Sequence, residues 1–217
     1  MSKREELRRL VDAAMSLAAA RPWGEVTYRE IVATAGLKLD EAHRLAPDKG
    51  AILVALSRQA DRAVLAEPAA IEDGGARDRV FDVLMRRFDQ LKGYRAGLAS
   101  VAAASGRDPA LALCLTFNLG CSMQAMLVAA GVSTEGLAGL LRIKGLAAIW
   151  AGTFRTFLRD ESEDLSETMA SLDQKLRRAE AILDRFSWKG RHRSHDAAAE
   201  PSPAAAPDDG GPQPQPL

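Results

Sequence analysis

Residues of the kinds that carry out catalysis or bind metals are sparse in this sequence. Of its 217 residues, three are histidines and two are cysteines. The chain has no Ser-His-Asp order, glycine-rich phosphate loop, paired-carboxylate site or metal-ligand spacing. His43, the histidine outside the C-terminal tail, has no obvious catalytic partner. We therefore expect a protein that is not an enzyme, with no catalytic residue, no metal site and no cofactor.

The residues that follow the first helix indicate a surface for binding a partner instead of a catalytic site. Thr27, with Glu30 three residues later, predicts a capping box at a helix start. Gly36 ends this helix, because glycine readily takes the left-handed conformation of a C-terminal cap. A short helix is expected over Leu39–Leu45, and Asp48 then caps a long one. Two short helices joined by a glycine turn are typical of a helix-turn-helix, whose second helix enters the major groove of DNA.

Composition and spacing predict an all-α chain. Aromatic residues make up 5% of the sequence and hydrophobic residues 47%, and no run shows the strict alternation of a half-buried strand. We expect a three-helix N-terminal unit over 1–66 and a linker at 67–76, where proline, paired glycines and acidic residues cluster. A second helical domain of about five to six helices is expected at 77–186. The proline-rich tail, 187–217, is predicted to be disordered.

Charge and hydropathy indicate a cytoplasmic protein. The formal net charge is zero, so bulk electrostatics do not favour nucleic acid or an anionic membrane. The charged start of the chain lacks the apolar segment of a signal peptide. No apolar run is expected to reach the roughly 18 to 20 residues of a spanning helix, so we predict no transmembrane segment.

The second domain is predicted to hold a ligand. A helix opened by Asp108 and Pro109 is apolar almost all round and is expected to be central and buried. The helix at 133–158 contains four glycines, which favours close approach of another helix. No buried charge that would identify a ligand stands out. Flexible and aromatic side chains are the candidates to line a cavity for a small hydrophobic ligand: Phe81, Met85, Phe117, Met123, Met126, Trp150 and Phe154.

The first 65 or so residues resemble the tetracycline-repressor (TetR) family. The resemblance rests on Ala35-Gly36-Leu37, on Leu45–Leu53 (LAPDKGAIL) and on the preceding helix with its Gly-x-x-x-Thr entry. It implies a TetR-like fold, binding to double-stranded DNA, and a homodimer formed through the helices at 133–158 and 165–186. It also implies a transcriptional regulator in which a ligand changes the separation of two recognition helices.

The same resemblance, with the helix-turn-helix geometry, selects candidate DNA contacts. Three residues near the helix starts are expected to position phosphates: Thr27, Tyr28 and Lys49. Four residues of the second helix are the candidates for base edges: Lys38, Leu39, His43 and Arg44. This helix begins Lys38-Leu39-Asp40-Glu41, where the family has small or basic residues. Because of the two acidic residues, a retained fold without DNA binding stays open as well.

A second resemblance covers Arg142–Leu176, which is similar to the end of the coenzyme Q accessory family. The matching features are Lys144, an aromatic-dotted helix, a Leu-Arg-Asp-x-Ser loop and Leu172-Asp173. It implies the alternative function of a TetR-fold lipid-binding accessory protein of ubiquinone biosynthesis that does not bind DNA.

Overall fold

The computed structural model describes residues 2–67 and 74–196, with side chains described up to residue 181. The described residues form helices and connecting turns, which confirms the predicted all-α class. The N-terminal part contains four helices: α1 (Lys3–Ala20), α2 (Tyr28–Thr34), α3 (Leu39–Leu45) and α4 (Lys49–Ala66). The rest contains five: α5 (Ala76–Leu91), α6 (Arg95–Ser105), α7 (Pro109–Ala129), α8 (Gly136–Phe157) and α9 (Ser166–Asp196).

Helix α1 packs against helices from both parts of the chain. Its Leu10, Val11 and Ala14 are fully buried and face the core of the N-terminal helices. On another side α1 crosses α6 at very close range, because a Cβ at Gly97 would lie 2.6 Å from the carbonyl oxygen of Met15. Helix α4 in turn packs along α5 and α7.

The described residues up to Glu180 consequently make one compact unit, and the described residues from Ala181 onward make a second. The predicted linker at 67–76 overlaps residues 68–73, which lie outside the described residues, and α5 begins at Ala76. The division into domains at 67–76 stays a prediction.

Helix α7 differs from the expectation that it is central and buried. Its buried residues are Ser122, Met123, Met126 and Leu127, all in the C-terminal half. Large apolar side chains on its other side are exposed, among them Phe117 at 75%. The sequence pattern did not distinguish buried from exposed faces because α7 is apolar on both.

The prediction that no apolar run reaches the length of a membrane-spanning helix was wrong. Helices α7 and α8, of 21 and 22 residues, are long and apolar enough to cross a membrane by length and composition alone. Between Asp108 and Glu135 the sequence has no charged residue. The core helix of a soluble protein can pass the same test, so the two helices are weak evidence for a membrane.

Helix α8 begins at Gly136, three residues later than the predicted start at residue 133. The segment before it folds back over the first turn, where a Cβ at Gly139 would lie 2.0 Å from the carbonyl carbon of Thr134. Gly152 instead makes room for the side chain of Lys175 on α9. At these two glycines the close neighbour belongs to the same chain, whereas a Cβ at Gly145 would meet no atom within 4 Å. Close approach of another helix at the glycines of α8 stays a prediction.

Helix α9 starts at a polar turn and runs beyond its predicted end. Asp160 is fully buried, and its carboxylate accepts hydrogen bonds from the backbone N–H groups of Ser162 and Thr168, at 3.0 and 2.8 Å. The helix continues to Asp196, ten residues past Phe186, where helix was predicted to end. The extension contains Gly190 and no proline, so nothing in it forces the backbone out of helix. The remainder of the predicted disordered tail, 197–217, lies outside the described residues.

Candidate nucleic-acid interface and ligand cavity

The helix-turn-helix is fixed at its entrance by a capping box. Thr27 accepts a hydrogen bond from the backbone N–H of Glu30, and the Glu30 carboxylate accepts from the Thr27 backbone N–H at 2.8 Å and from its hydroxyl at 2.6 Å. Arg21 adds an ion pair to Glu30 at 2.8 Å. The hydrogen bond from the Thr27 side chain, followed by that from Arg21, lowers the pKa of Glu30 to about 2. The carboxylate therefore stays ionised in ordinary buffers, and α2 keeps a constant starting point.

The turn between α2 and α3 depends on Gly36. Its φ of 62° lies in the left-handed region, as a C-terminal cap requires. A Cβ at this position would also lie 2.7 Å from Nη2 of Arg9, a nitrogen that donates to the carbonyl oxygen of Ala35. The backbone conformation thus favours glycine, whereas the contact with Arg9 could be relieved by a movement of its guanidinium end. The angle between α2 and α3 follows from this turn.

Helix α3 presents most of its side chains to solvent and is held by one small residue. Ala42 is fully buried against the N-terminal core. The four candidates for base contacts are all exposed: Lys38, Leu39, His43 and Arg44. Leu39 and His43 are one helical turn apart and so share a face, as do Asp40 and Arg44.

An acidic residue competes for one of these candidates. Arg44 donates from Nη2 to the carboxylate of Asp40 at 3.0 Å, and both side chains are exposed. Such a surface pair contributes little stability, so a stronger anion could take Arg44 away from it. Glu41 is bound to its own helix start, accepting from the backbone N–H of Lys38 at 3.3 Å.

Tyr28 and Lys49 are engaged within the protein. The hydroxyl of Tyr28 donates to the carbonyl oxygen of Ala46 at 2.6 Å, which ties α2 to the end of α3. The ammonium of Lys49 donates to the carbonyl oxygens of Trp23 and Val26 at 2.8 and 2.5 Å and lies over the Trp23 ring. Burial lowers the pKa of Lys49. These two residues, expected to position phosphates, hold the helix-turn-helix together in this structure.

A cavity of about 510 Å³ lies between α4, α5, α6, α7 and α8. Two of the seven side chains predicted to line a ligand site, Trp150 and Phe154, lie on its wall. The wall also contains large aliphatic residues that were not among the predicted ligand contacts: Leu53, Leu56, Leu91, Leu98, Val101, Leu115, Leu119 and Leu158.

The other five predicted residues lie away from this cavity. Met123 and Met126 are buried in the core, and Phe81 and Met85 are half-buried against it. Phe117 points to solvent, because α7 turns Leu115 and Leu119 toward the cavity and a residue two positions away lies about 200° round the helix.

A buried charge cluster at the cavity wall was not anticipated from the sequence. Arg87, only 3% exposed, donates from Nε to Asp61 at 2.7 Å and from Nη2 to Ser57 and Ser122 at 2.9 and 3.2 Å. Ser122 donates to the second oxygen of Asp61 at 2.6 Å, and the Trp150 ring covers the guanidinium at 4.3 Å. A signal was present, since Arg87 falls at helical spacing within the apolar stripe of α5.

The faces predicted to form a dimer carry exposed apolar side chains. On α8, Leu137 is 74% exposed and Leu141, one turn later, is 62% exposed. Met169 on α9 is also exposed. Isolated exposed apolar residues are ordinary, and these two exposed leucines lie one helical turn apart on one face of α8.

Comparison with solved structures identifies the fold. The chain is similar to the TetR transcriptional regulator from Nitrosomonas europaea ATCC 19718, with a TM-score of 0.64, 24% identity, and coverage of 80% of this chain and 96% of that one. It is also similar to a TetR transcriptional regulator from Rhodococcus sp. RHA1, with a TM-score of 0.51, 22% identity, and coverage of 81% and 98%.

The sequence comparisons add no family assignment. No protein-family model matches the chain, and no curated protein sequence matches it. The resemblance of Arg142–Leu176 to the coenzyme Q accessory family is not supported by any of these comparisons. What the likeness establishes is the architecture: the chain has the all-α fold of the TetR transcriptional regulators.

Proposed function

We propose that this protein is a homodimeric, cytoplasmic transcriptional regulator that binds double-stranded DNA through α2 and α3 and responds to a ligand in the cavity. The observation that carries the proposal is the exposed face of α3. It offers Lys38, His43 and Arg44 to a partner while Ala42 anchors the helix. Side chains of these types recognise phosphates and base edges in the major groove.

The supporting contacts give this helix a fixed orientation. Thr27 and Gly36 set the two ends of α2. Tyr28 joins α2 to the end of α3, and Lys49 joins α4 to the segment before α2. A rigid reading helix loses little conformational entropy on binding, which favours specific recognition. Lys38 and Arg44 would then contact the DNA directly, and Thr27 would approach phosphates at the start of α2.

The cavity suggests how a ligand would control DNA binding. Helix α4 follows directly after α3 and also forms one wall of the cavity. A ligand that shifts α4 would shift the recognition helix with it. Because operator half-sites require a fixed separation of two such helices, a small shift in a dimer would release DNA.

DNA-binding variants test this proposal. Fluorescence anisotropy with a labelled duplex of the protein's own promoter region should show that Arg44→Ala and His43→Ala each weaken binding about 5- to 100-fold, as expected for base contacts. Arg62→Ala is the matched control, since Arg62 is an exposed arginine on α4 outside the helix-turn-helix. Equal affinities for all these proteins would reject the assignment of α3 as the reading helix.

The dimer can be tested separately. Leu141→Asp should convert the protein to a monomer in size-exclusion chromatography with light scattering, because a carboxylate would be buried in the proposed α8–α9 interface. Leu113→Asp provides the control, as Leu113 on α7 is 72% exposed and lies outside that interface. Dimers of both variants would place the interface elsewhere.

A TetR-fold ligand-binding protein without DNA binding is the competing function. It is favoured by Asp40 and Glu41, which place two negative charges at the N-terminus of α3. Under this function the promoter duplex would bind no better than a scrambled one, while ligand binding in the cavity would persist.

A further inference from the structure

The charged residues that line the cavity between α4 and α8 are all positive. Among the residues that line it, the charged ones are Arg87 and Arg155, and none is an aspartate or glutamate. The remaining wall is mostly aliphatic and aromatic, with Trp150 and Phe154 at one side. An occupant with a long apolar body would be matched by most of this surface, and a negative group by the two arginines.

The guanidinium of Arg87 has more N–H donors than acceptors among the described residues. Its Nε is taken by Asp61, and its Nη2 by Ser57 and Ser122. Within residues 2–67 and 74–181, no group accepts a hydrogen bond from its Nη1. A guanidinium has five N–H donors, so two of them remain available at the wall of the cavity.

We propose that the cavity binds an apolar molecule bearing a single carboxylate, with the carboxylate accepting from Nη1 of Arg87 and the apolar chain lying against the leucines of α4, α6 and α7. The planar guanidinium suits a planar carboxylate. A single negative charge also costs less to bury than the double charge of a phosphate monoester. Arg155 lies along the same wall and attracts the anion as it enters.

The position of Asp61 couples ligand binding in the cavity to the position of α4. Asp61 belongs to α4, Arg87 to α5 and Ser122 to α7, so one cluster joins the three helices. A ligand carboxylate at Arg87 brings a second negative charge toward Asp61 in a buried environment. The ligand carboxylate on Nη1 and the Asp61 carboxylate on Nε then repel each other, and α4 is displaced from α5 when this repulsion exceeds the attraction between Asp61 and Arg87. This regulatory part rests on the proposed DNA-binding function, whereas the ligand class does not.

Calorimetric titration of the full chain tests the ligand class directly. Decanoate is the probe, and decanol and decylamine, with the same chain but a neutral or cationic head, are the comparison ligands. Decanoate should bind at least about tenfold tighter than decanol, and decylamine should bind more weakly than either. Equal affinity for decanoate and decanol would overturn the proposal.

Variants locate the carboxylate. Removing Arg87 alone would leave Asp61 buried without its partner, so the pair is replaced together as Asp61→Asn with Arg87→Gln. This double variant should lose the preference for decanoate over decanol, while Arg178→Gln, an exposed site on α9, should retain it. Asp61→Asn alone leaves the Arg87 guanidinium without its carboxylate partner, and the ligand carboxylate can then supply the missing negative charge. This variant should therefore bind decanoate several-fold tighter than the unaltered chain. A double variant that still prefers decanoate would refute the role of Arg87.

The two proposals can fail independently. Titration without DNA reports on the cavity even if the protein binds no operator, so a decanoate preference that depends on Arg87 supports the ligand class in either case. Specific DNA binding together with no decanoate preference would uphold the regulator and overturn the ligand class. Release of bound DNA by decanoate but not by decanol would support both.

Discussion

Substitution of Gly97 by alanine should destabilise the protein, even though alanine is the better helix former. The new Cβ would lie 2.6 Å from the backbone oxygen of Met15 and 3.1 Å from its Cα, so α1 and α6 would have to separate. Overpacking of this kind costs about 1–3 kcal/mol. Replacing a helical glycine by alanine returns about 0.5–1 kcal/mol. The net expectation is a loss of about 1 kcal/mol in the free energy of unfolding, within a range of about 0–2.5 kcal/mol.

Gly120→Ala is the matched control, because Gly120 is also inside a helix but a Cβ there meets no atom within 4 Å. It should stabilise the protein by about 0.5–1 kcal/mol. Urea denaturation followed by circular dichroism measures both changes as opposite shifts of the midpoint at an unchanged m-value. If Gly97→Ala stabilised the chain as much as Gly120→Ala does, α1 and α6 would not be in close contact at Gly97.

Three further predictions concern charged groups. Arg87→Gln should lower the free energy of unfolding by about 3–5 kcal/mol, because it leaves the Asp61 carboxylate buried without a partner. Adding Asp61→Asn removes that unpaired charge and should recover a large part of the loss. Urea denaturation of the single and double variants measures both changes. Burial alone would raise the pKa of Asp160, but hydrogen bonds from Ser162 and Thr168 lower it to about 2. The stabilisation from this ionised carboxylate is therefore present above about pH 4 and lost as the pH falls toward 2, so Asp160→Asn should flatten the acid side of the stability profile measured by thermal melting. Asp40→Asn should strengthen DNA binding about three- to tenfold, because it frees Arg44 and removes a charge that repels phosphates; unchanged affinity would mean that this face of α3 does not approach DNA.

Local signals in the sequence predicted the N-terminal helices well. Thr27 with Glu30, the left-handed Gly36 and Asp48 each act within one helical turn, so their effect can be read without knowing what packs nearby. The α7 start at Pro109 was predicted for the same reason. These residues set where helices begin and end, while the all-α class was predicted from composition and from the absence of strand-like alternation.

The cavity could not be predicted in the same way, because its lining depends on how helices are rotated against one another. Phe117 and Leu119 are both apolar residues of α7, yet one is exposed and the other lines the cavity. Arg87 and Asp61 are 26 positions apart in sequence and meet only when α5 packs against α4. Periodicity identifies Arg87 as a residue on the buried side of its helix, but the partner that neutralises it becomes apparent in the folded structure.

Lys49 shows a different kind of limit. Its position at the start of α4 is compatible with a phosphate contact, and its residue type favours one. The folded structure places the backbone carbonyls of Trp23 and Val26 within reach of its ammonium. A lysine that the sequence places on the surface can thus stabilise the inside of a domain by hydrogen bonds to backbone carbonyls.

The most direct test of whether this protein recognises DNA with α3 is a salt titration of DNA binding by the full chain. The duplex carries the protein's own promoter region, and a scrambled duplex serves as competitor. The result expected for a regulator that recognises DNA with α3 is specific binding that resists the competitor. The logarithm of its association constant should fall linearly with the logarithm of salt concentration. Affinity no greater than for the scrambled duplex at every salt concentration would contradict the proposed function and leave a TetR-fold ligand-binding protein.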